Sequence, residues 1–160
     1  MRTRRRTLDQ LLPFATAGEL LARNHQHLVT VSPGTTVRAA LGKMEEKDIG
    51  FLPVLERGAL VGVVSERDIA RGAVLHHRTL VREVMTTRVH TVAPETPVPE
   101  CLVLMQREHI RHLPVVKDGT VLGVLSVRDL TGSLIGRHER LLRKFHDEQV
   151  KLLFPYPSSY

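Results

Sequence analysis

Between Leu28 and Leu130 the apolar positions change spacing in a repeating order. Leu28 to Val31 and Val89 to Val92 are short apolar runs that predict strands, closed by Ser32-Pro33-Gly34 and Ala93-Pro94. The spacing then becomes helical. Val37, Ala40, Leu41 and Met44, and later Val98, Cys101, Leu102 and Met105, fall at i, i+3, i+4, i+7. Thr35 and Thr96 are the expected N-caps, with Pro97 at the first helical position. Phe51 to Leu55 and His112 to Val116 return to strand-like composition. They lead through the turns Glu56-Arg57-Gly58 and Lys117-Asp118-Gly119 into Leu60 to Val64 and Val121 to Leu125. A second helix starts where each of those last strands meets a serine. Each unit reads β-α-β-β-α.

The two units are copies. At an offset of 61 without gaps, Thr30 to Ile69 aligns with Thr91 to Leu130, and 17 of the 40 pairs are identical. The strands are apolar at nearly every position, which predicts that both faces are covered. One unit cannot cover its own sheet, but two stacked units can. Pro53 and Pro114 lack the N–H that a central strand would use, so they point to edge positions or strand starts. The expected fold class is α+β, two layered β-α-β-β-α repeats packed sheet to sheet with a pseudo-two-fold axis, plus a C-terminal helix. The expected divisions are a basic arm over 1–18, repeats over 19–79 and 80–136, and a C-terminal helix and tail over 137–160.

The chemistry concentrates at Ser65-Glu66-Arg67-Asp68 and its copy Ser126-Val127-Arg128-Asp129. A serine with an acid three residues on is a capping box at a helix start, and free N–H groups there suit an anion. An ionised aspartate accepts hydrogen bonds only, so it can take two hydroxyl donors. By themselves these corners are also plain helix caps.

Composition narrows the classes. The chain has 160 residues, 42% of them hydrophobic, and no apolar run near the roughly 20 residues of a membrane span. One cysteine, Cys101, excludes an intrachain disulfide, and with no secretory signal the expected setting is the cytoplasm. The formal charge is +6. Aromatic residues are only 4%, with no Trp, and the basic residues are spread out apart from Arg2, Arg4, Arg5 and Arg6. Nucleic acid is therefore not the expected partner. The nine histidines form no His-x-x-x-His set, and no Walker or Gly-x-Ser-x-Gly motif is present, so neither a metal nor catalysis is expected. From Leu134 onward Leu141, Leu142 and Phe145 share one helical face with charge opposite, which suits a cap over the repeat pair or a dimer seam.

The tandem β-α-β-β-α units, the Leu-Pro-Val strands and the Gly-Val-Val-Ser-x-Arg-Asp stretch resemble the cystathionine β-synthase-type (CBS) domain pair, also called a Bateman module. The likeness covers roughly Glu19 to Ile135. It implies a disc with two clefts for adenosine-containing ligands: AMP, ADP, ATP, NAD(H) or S-adenosylmethionine. These would be regulatory ligands with no obligatory cofactor, and the chain would be a sensor without catalysis of its own. The resemblance gives the ribose and phosphate to Ser65, Arg67 and Asp68 in one cleft and to Ser126, Arg128 and Asp129 in the other. It draws the adenine wall of the first cleft from Met85, Thr86, Val89, Ile110, Arg111, His112, Leu113 and Pro114. That of the second comes from Asn24, His27, Leu28, Ile49, Gly50, Phe51, Leu52 and Pro53. A homodimer of discs and an effector protein are the implied macromolecular partners. A ligand-free dimerisation module and a nucleic-acid regulator working through the basic arm are the alternatives. Arg111 and His112 are expected to make the Ser65/Asp68 cleft the stronger phosphate site, because Gly50 and Phe51 stand in their place in the other.

Overall fold

The structure, a computed structural model, describes residues 15–24, 27–71, 78–136 and 138–139. Residues 1–14 of the basic arm, His25, the pair His76 and His77, and most of the expected C-terminal helix lie outside the described residues, while Ala17 and Gly18, placed at the end of the arm, open the first helix.

Each repeat is built on a hairpin. β1 (Phe51–Glu56) pairs antiparallel with β2 (Ala59–Ser65), and β3 (His112–Lys117) with β4 (Thr120–Ser126). Both turns carry two residues at positive φ, Arg57 at 50° and Gly58 at 85°, Asp118 at 49° and Gly119 at 78°. That is the mirror-image turn whose twist matches paired strands. In each hairpin the register shifts by one residue, between Val54 and Leu55 and between Val115 and Val116.

The runs expected as opening strands, Leu28 to Val31 and Val89 to Val92, shrink to single parallel bridges, Val31 to Val54 and Val92 to Val115. The prolines explain why. Val31 N–H donates to Pro53 O at 3.1 Å, and Leu55 N–H donates to Val31 O at 2.9 Å. The next bond of a parallel ladder would need an N–H on residue 53, which proline lacks. Pro114 ends the Val92 bridge in the same way. Pro53 and Pro114 are thus flanked on both sides and fully buried, rather than standing at an edge or a strand start.

α2 (Val37–Lys47) buries Val37, Ala40 and Met44, while Leu41 remains 38% exposed. Its cap is Thr36, whose side chain accepts from Ala39 N–H; Thr35 instead accepts from Ser32 N–H in the turn before it. α5 (Val98–Arg107) starts from Pro97 as N-cap with no side-chain cap bond, one residue later than the expected cap at Thr96. Both helices end on a left-handed residue, Asp48 or His109, after which Ile49 and Ile110 donate back to Met44 O and Met105 O. This reversal aims the chain into β1 and β3.

The packing exchanges segments between repeats. α1 (Ala17–Asn24) leads into the first repeat, yet Ala17 and Leu20 pack with Val98, Cys101 and Leu125 of the second. α4 (Val81–Val84) opens the second repeat, and Val81 packs with Val37, Met44 and Val64 of the first. The backbone bonds mirror each other. Ala17 N–H reaches Thr96 O and Gly18 N–H reaches Pro94 O, each at 2.8 Å; Val81 N–H reaches Thr35 O at 2.8 Å and Arg82 N–H reaches Pro33 O at 3.1 Å. A hydrophobic cluster therefore fills each half, and each is completed by the other half's leading segment.

β2 and β4 meet at the centre, giving two α+β repeats packed sheet to sheet about a pseudo-two-fold axis. After β2 comes α3 (Glu66–Arg71), and after β4 a longer helix, α6, over residues 127–136. The second repeat's second helix thus begins at the Ser126 corner, as the capping box predicts, and runs past Leu134; the expected C-terminal helix lies almost wholly outside the described residues. Among the described residues no helix is long and apolar enough to cross a membrane.

Candidate functional site

Each Ser-x-x-Asp corner is formed by the last residue of a strand and the first turn of a helix. Ser65 N–H donates to Asp68 Oδ2 at 2.9 Å, Ser65 Oγ donates to the same oxygen at 2.6 Å, and Asp68 N–H donates to Ser65 Oγ at 3.2 Å. Ser126 and Asp129 repeat this at 2.7, 2.6 and 3.2 Å. The capping box expected from the spacing is complete in both copies. Each corner is also tied to the residue before its neighbouring strand, Glu66 N–H to Gly50 O at 3.1 Å and Val127 N–H to Arg111 O at 2.9 Å. The carboxylates are held in place before any ligand arrives.

Both corners open onto one cavity of about 1,220 Å³. Ser65, Arg67, Asp68, Ser126, Arg128 and Asp129 all line it. From the expected adenine walls the cavity gathers Thr86, Val89, Ile110, Arg111, His112 and Pro114, together with His27, Leu28, Ile49, Gly50 and Phe51. Leu52, Leu113 and Pro53 do not reach it, being fully buried core residues. Met85 sits against Gly62 instead, where an added Cβ would stand 2.8 Å from its sulfur. Asn24 meets the second corner directly, donating from Nδ2 to Asp129 Oδ1 at 2.9 Å. It also lines a shallower cavity of about 330 Å³ between α1 and α6.

The clefts share a floor. The rings of Phe51 and His112, equivalent positions in the two repeats, stack with centroids 4.8 Å apart and planes 16° apart. Burial pushes the His112 imidazole below its ordinary pKa; neighbouring Arg111 pushes it further, and Asp129 opposes both. His112 is therefore predominantly neutral at pH 7, and the positive charge expected from Arg111 and His112 together comes from Arg111. Arg67 and Arg128 are exposed and form no ion pair among the described residues.

Several lining residues carried no sequence signal as site residues. Arg88 and His90 enter because Thr86 pairs with the free edge of β2: Val63 N–H donates to Thr86 O and Thr86 N–H to Val63 O, both at 2.9 Å. Glu108 lies 3.4 Å from His90 and 2.7 Å from Arg107, and the Arg107 hydrogen bond holds its carboxyl below the usual range. No three His, Cys, Asp or Glu side chains among the described residues are grouped to hold a metal ion. The site offers hydroxyl, carboxylate and guanidinium groups around apolar walls, suited to binding a polar, partly flat molecule.

Similar proteins share this arrangement of repeats. The CBS domain family profile matches the chain twice, over residues 17–74 and 81–136. Over 106 residues the chain is 34% identical to the CBS domain-containing protein YhcV of Bacillus subtilis (strain 168), covering 64% of this chain and 76% of that protein. The CBS domain crystal structure of NE2398 superposes with a TM-score of 0.72 at 35% identity, covering 75% of this chain and 97% of that one. The CBS domain protein PAE2072 from Pyrobaculum aerophilum, solved in complex with AMP, superposes with a TM-score of 0.65 at 31% identity, covering 71% and 88%. With the domain matched in both halves and the same paired repeats in its structural neighbours, the chain belongs to the CBS domain family and carries the domain as a tandem pair.

Proposed function

We propose that this CBS pair is a regulatory sensor that takes an adenosine-containing ligand, of the AMP, ADP, ATP or NAD(H) class, in the cavity between its repeats. The observation that carries the reading is the cavity itself. It is large enough for a nucleotide and presents a pre-positioned Ser/Asp corner together with Arg67, Arg88 and Arg111 on apolar walls. The AMP complex of a relative at 31% identity supports the ligand class. In this reading Asp68 accepts from the ribose diol, Ser65 and the arginines face the phosphate, and Ile110 and Val89 flank the base. The module does no chemistry on its ligand. Binding shifts the arrangement of the repeats, or of a homodimer in the cytoplasm, only as far as the ligand prefers one arrangement over another. An effector protein would read that shift.

Thermal unfolding with AMP, ADP, ATP, NAD(H) and S-adenosylmethionine tests this. A ligand at 100 times its dissociation constant adds about 2.7 kcal/mol, a rise of roughly 5–10 °C for a chain of this length. One nucleotide giving that rise, lost in Asp68→Ala, supports the sensor reading. No shift with any of them returns the corners to plain helix caps.

A further inference from the structure

The two corners are built alike but bonded differently. In both, the serine N–H and hydroxyl converge on Oδ2 of the aspartate and occupy its lone pairs. What remains to receive a diol is Oδ1. Among the described residues, no hydrogen-bond donor reaches Asp68 Oδ1, whereas Asp129 Oδ1 accepts from Asn24 Nδ2 at 2.9 Å. The orientation of that amide follows from chemistry, since its own oxygen is an acceptor and cannot face a carboxylate.

The fold itself delivers Asn24 there. It is the last residue of α1, and α1 is held on the second repeat by its backbone bonds to Thr96 and Pro94 and by buried Leu20. Leu21 packs at Gly123 as Met85 packs at Gly62, but α1 continues as helix to Asn24 whereas α4 stops at Val84 and Thr86 bridges Val63, so the chain three residues beyond Met85, at Arg88, takes a different path. Arg88 lines the cavity and makes no ion pair with Asp68. An amide holds the second oxygen of one corner's carboxylate, and among the described residues no such donor meets the other.

We infer that Asn24 is a specificity-determining residue: it occupies one of the two lone pairs left on Asp129 Oδ1, so that corner cannot accept both hydroxyls of a vicinal diol, and each chain takes a single vicinal-diol ligand, at Asp68. This rests on the nucleotide-sensor reading and adds which corner is used and why. A diol seating both hydroxyls on Asp129 Oδ1 would have to displace the Asn24 amide, whereas at Asp68 it meets an oxygen with both lone pairs open.

Isothermal titration of the full chain with AMP and, separately, with ATP reads the stoichiometry. The expected result is one equivalent per chain, lost in Asp68→Ala, rising to two in Asn24→Ala, and returning to one in the double variant Asn24→Ala/Asp68→Ala. Asn24→Ser, whose shorter side chain also withdraws from Asp129, provides the same readout if alanine loosens α1; melting temperatures identify variants that remain folded. Two equivalents in the wild-type chain, a full equivalent retained by Asp68→Ala, or one equivalent in folded Asn24 variants overturns the assignment and leaves the sensor reading intact. No heat and no thermal shift with either nucleotide overturns both.

Discussion

Phe51 and His112, 61 positions apart and equivalent in the two repeats, stack face to face at 4.8 Å where the clefts meet. Neither ring is fully buried, so removing Phe51 forfeits part of a buried aromatic's burial and the stack itself, the latter worth about 0.5–1.5 kcal/mol. Phe51→Ala is expected to lower stability by about 2 kcal/mol. Phe51→Leu should recover part of that loss in chemical denaturation, because it restores apolar volume without the stack.

The His112 environment sets a pH dependence. Its folded-state pKa lies below the ordinary value near 6.5, through burial first and Arg111 second, against the pull of Asp129. The unfolded chain therefore takes up this proton more readily than the folded one, and stability falls as pH drops through about 6.5 towards the folded-state value. His112→Phe keeps a ring for the stack and removes the titration. Unfolding free energies from pH 7.5 down to 5 should decline more steeply in the wild type than in His112→Phe; parallel curves would show that His112 carries no such linkage.

The corner hydrogen bonds have a stability role separable from any ligand. Ser65→Ala and Ser126→Ala each remove a serine side chain that both donates to the aspartate and accepts from its N–H. Each is expected to cost about 1 kcal/mol in denaturant midpoint experiments without ligand. Because the two corners share no hydrogen-bond partner, the costs should add within about 0.5 kcal/mol.

Gly62 and Gly123 mark close crossings of the two halves. A Cβ on Gly123 would stand 2.8 and 3.1 Å from the two δ carbons of Leu21, a movable side chain; on Gly62 it would also stand 3.1 Å from the backbone oxygen of Thr86. Gly62→Ala should cost about 2–3 kcal/mol and Gly123→Ala about 1 kcal/mol. Leu21→Ala is expected to offset part of the Gly123→Ala loss, detectable as a favourable coupling in a double-mutant cycle.

The segment exchange predicts where a defect is felt. Leu20 is 4% exposed and packs in the second repeat's core, so Leu20→Ala should cost about 2–4 kcal/mol. Amide hydrogen exchange should accelerate in α5, β3 and β4 before α2, β1 and β2. Faster exchange confined to the first repeat would contradict the packing.

Much of this protein is legible residue by residue, because the signals are local and occur twice. The turns at Gly58 and Gly119, the apolar helix faces around Met44 and Met105, and the Ser/Asp capping boxes all depend on neighbours within a few positions. Their duplication at one offset separates them from chance, and the tandem family resemblance follows from the same residues. Tertiary structure decides what local pattern cannot express. The opening strands stop at one bridge because Pro53 and Pro114 lack the N–H that the next rung needs, a cost visible only once Val31 and Val92 are laid beside them. α1 closes the second repeat because the hydrophobic face of Ala17 and Leu20 finds its complement only after the halves pair. The same docking carries Asn24 across 105 positions to Asp129, so two corners that are near-identical in sequence offer Oδ1 to a ligand with different occupancy, bonded by Asn24 at Asp129 and unbonded among the described residues at Asp68. Local hydrogen bonds and hydrophobic spacing are encoded in short stretches, whereas the availability of a single acceptor depends on which distant side chain the packing brings to it.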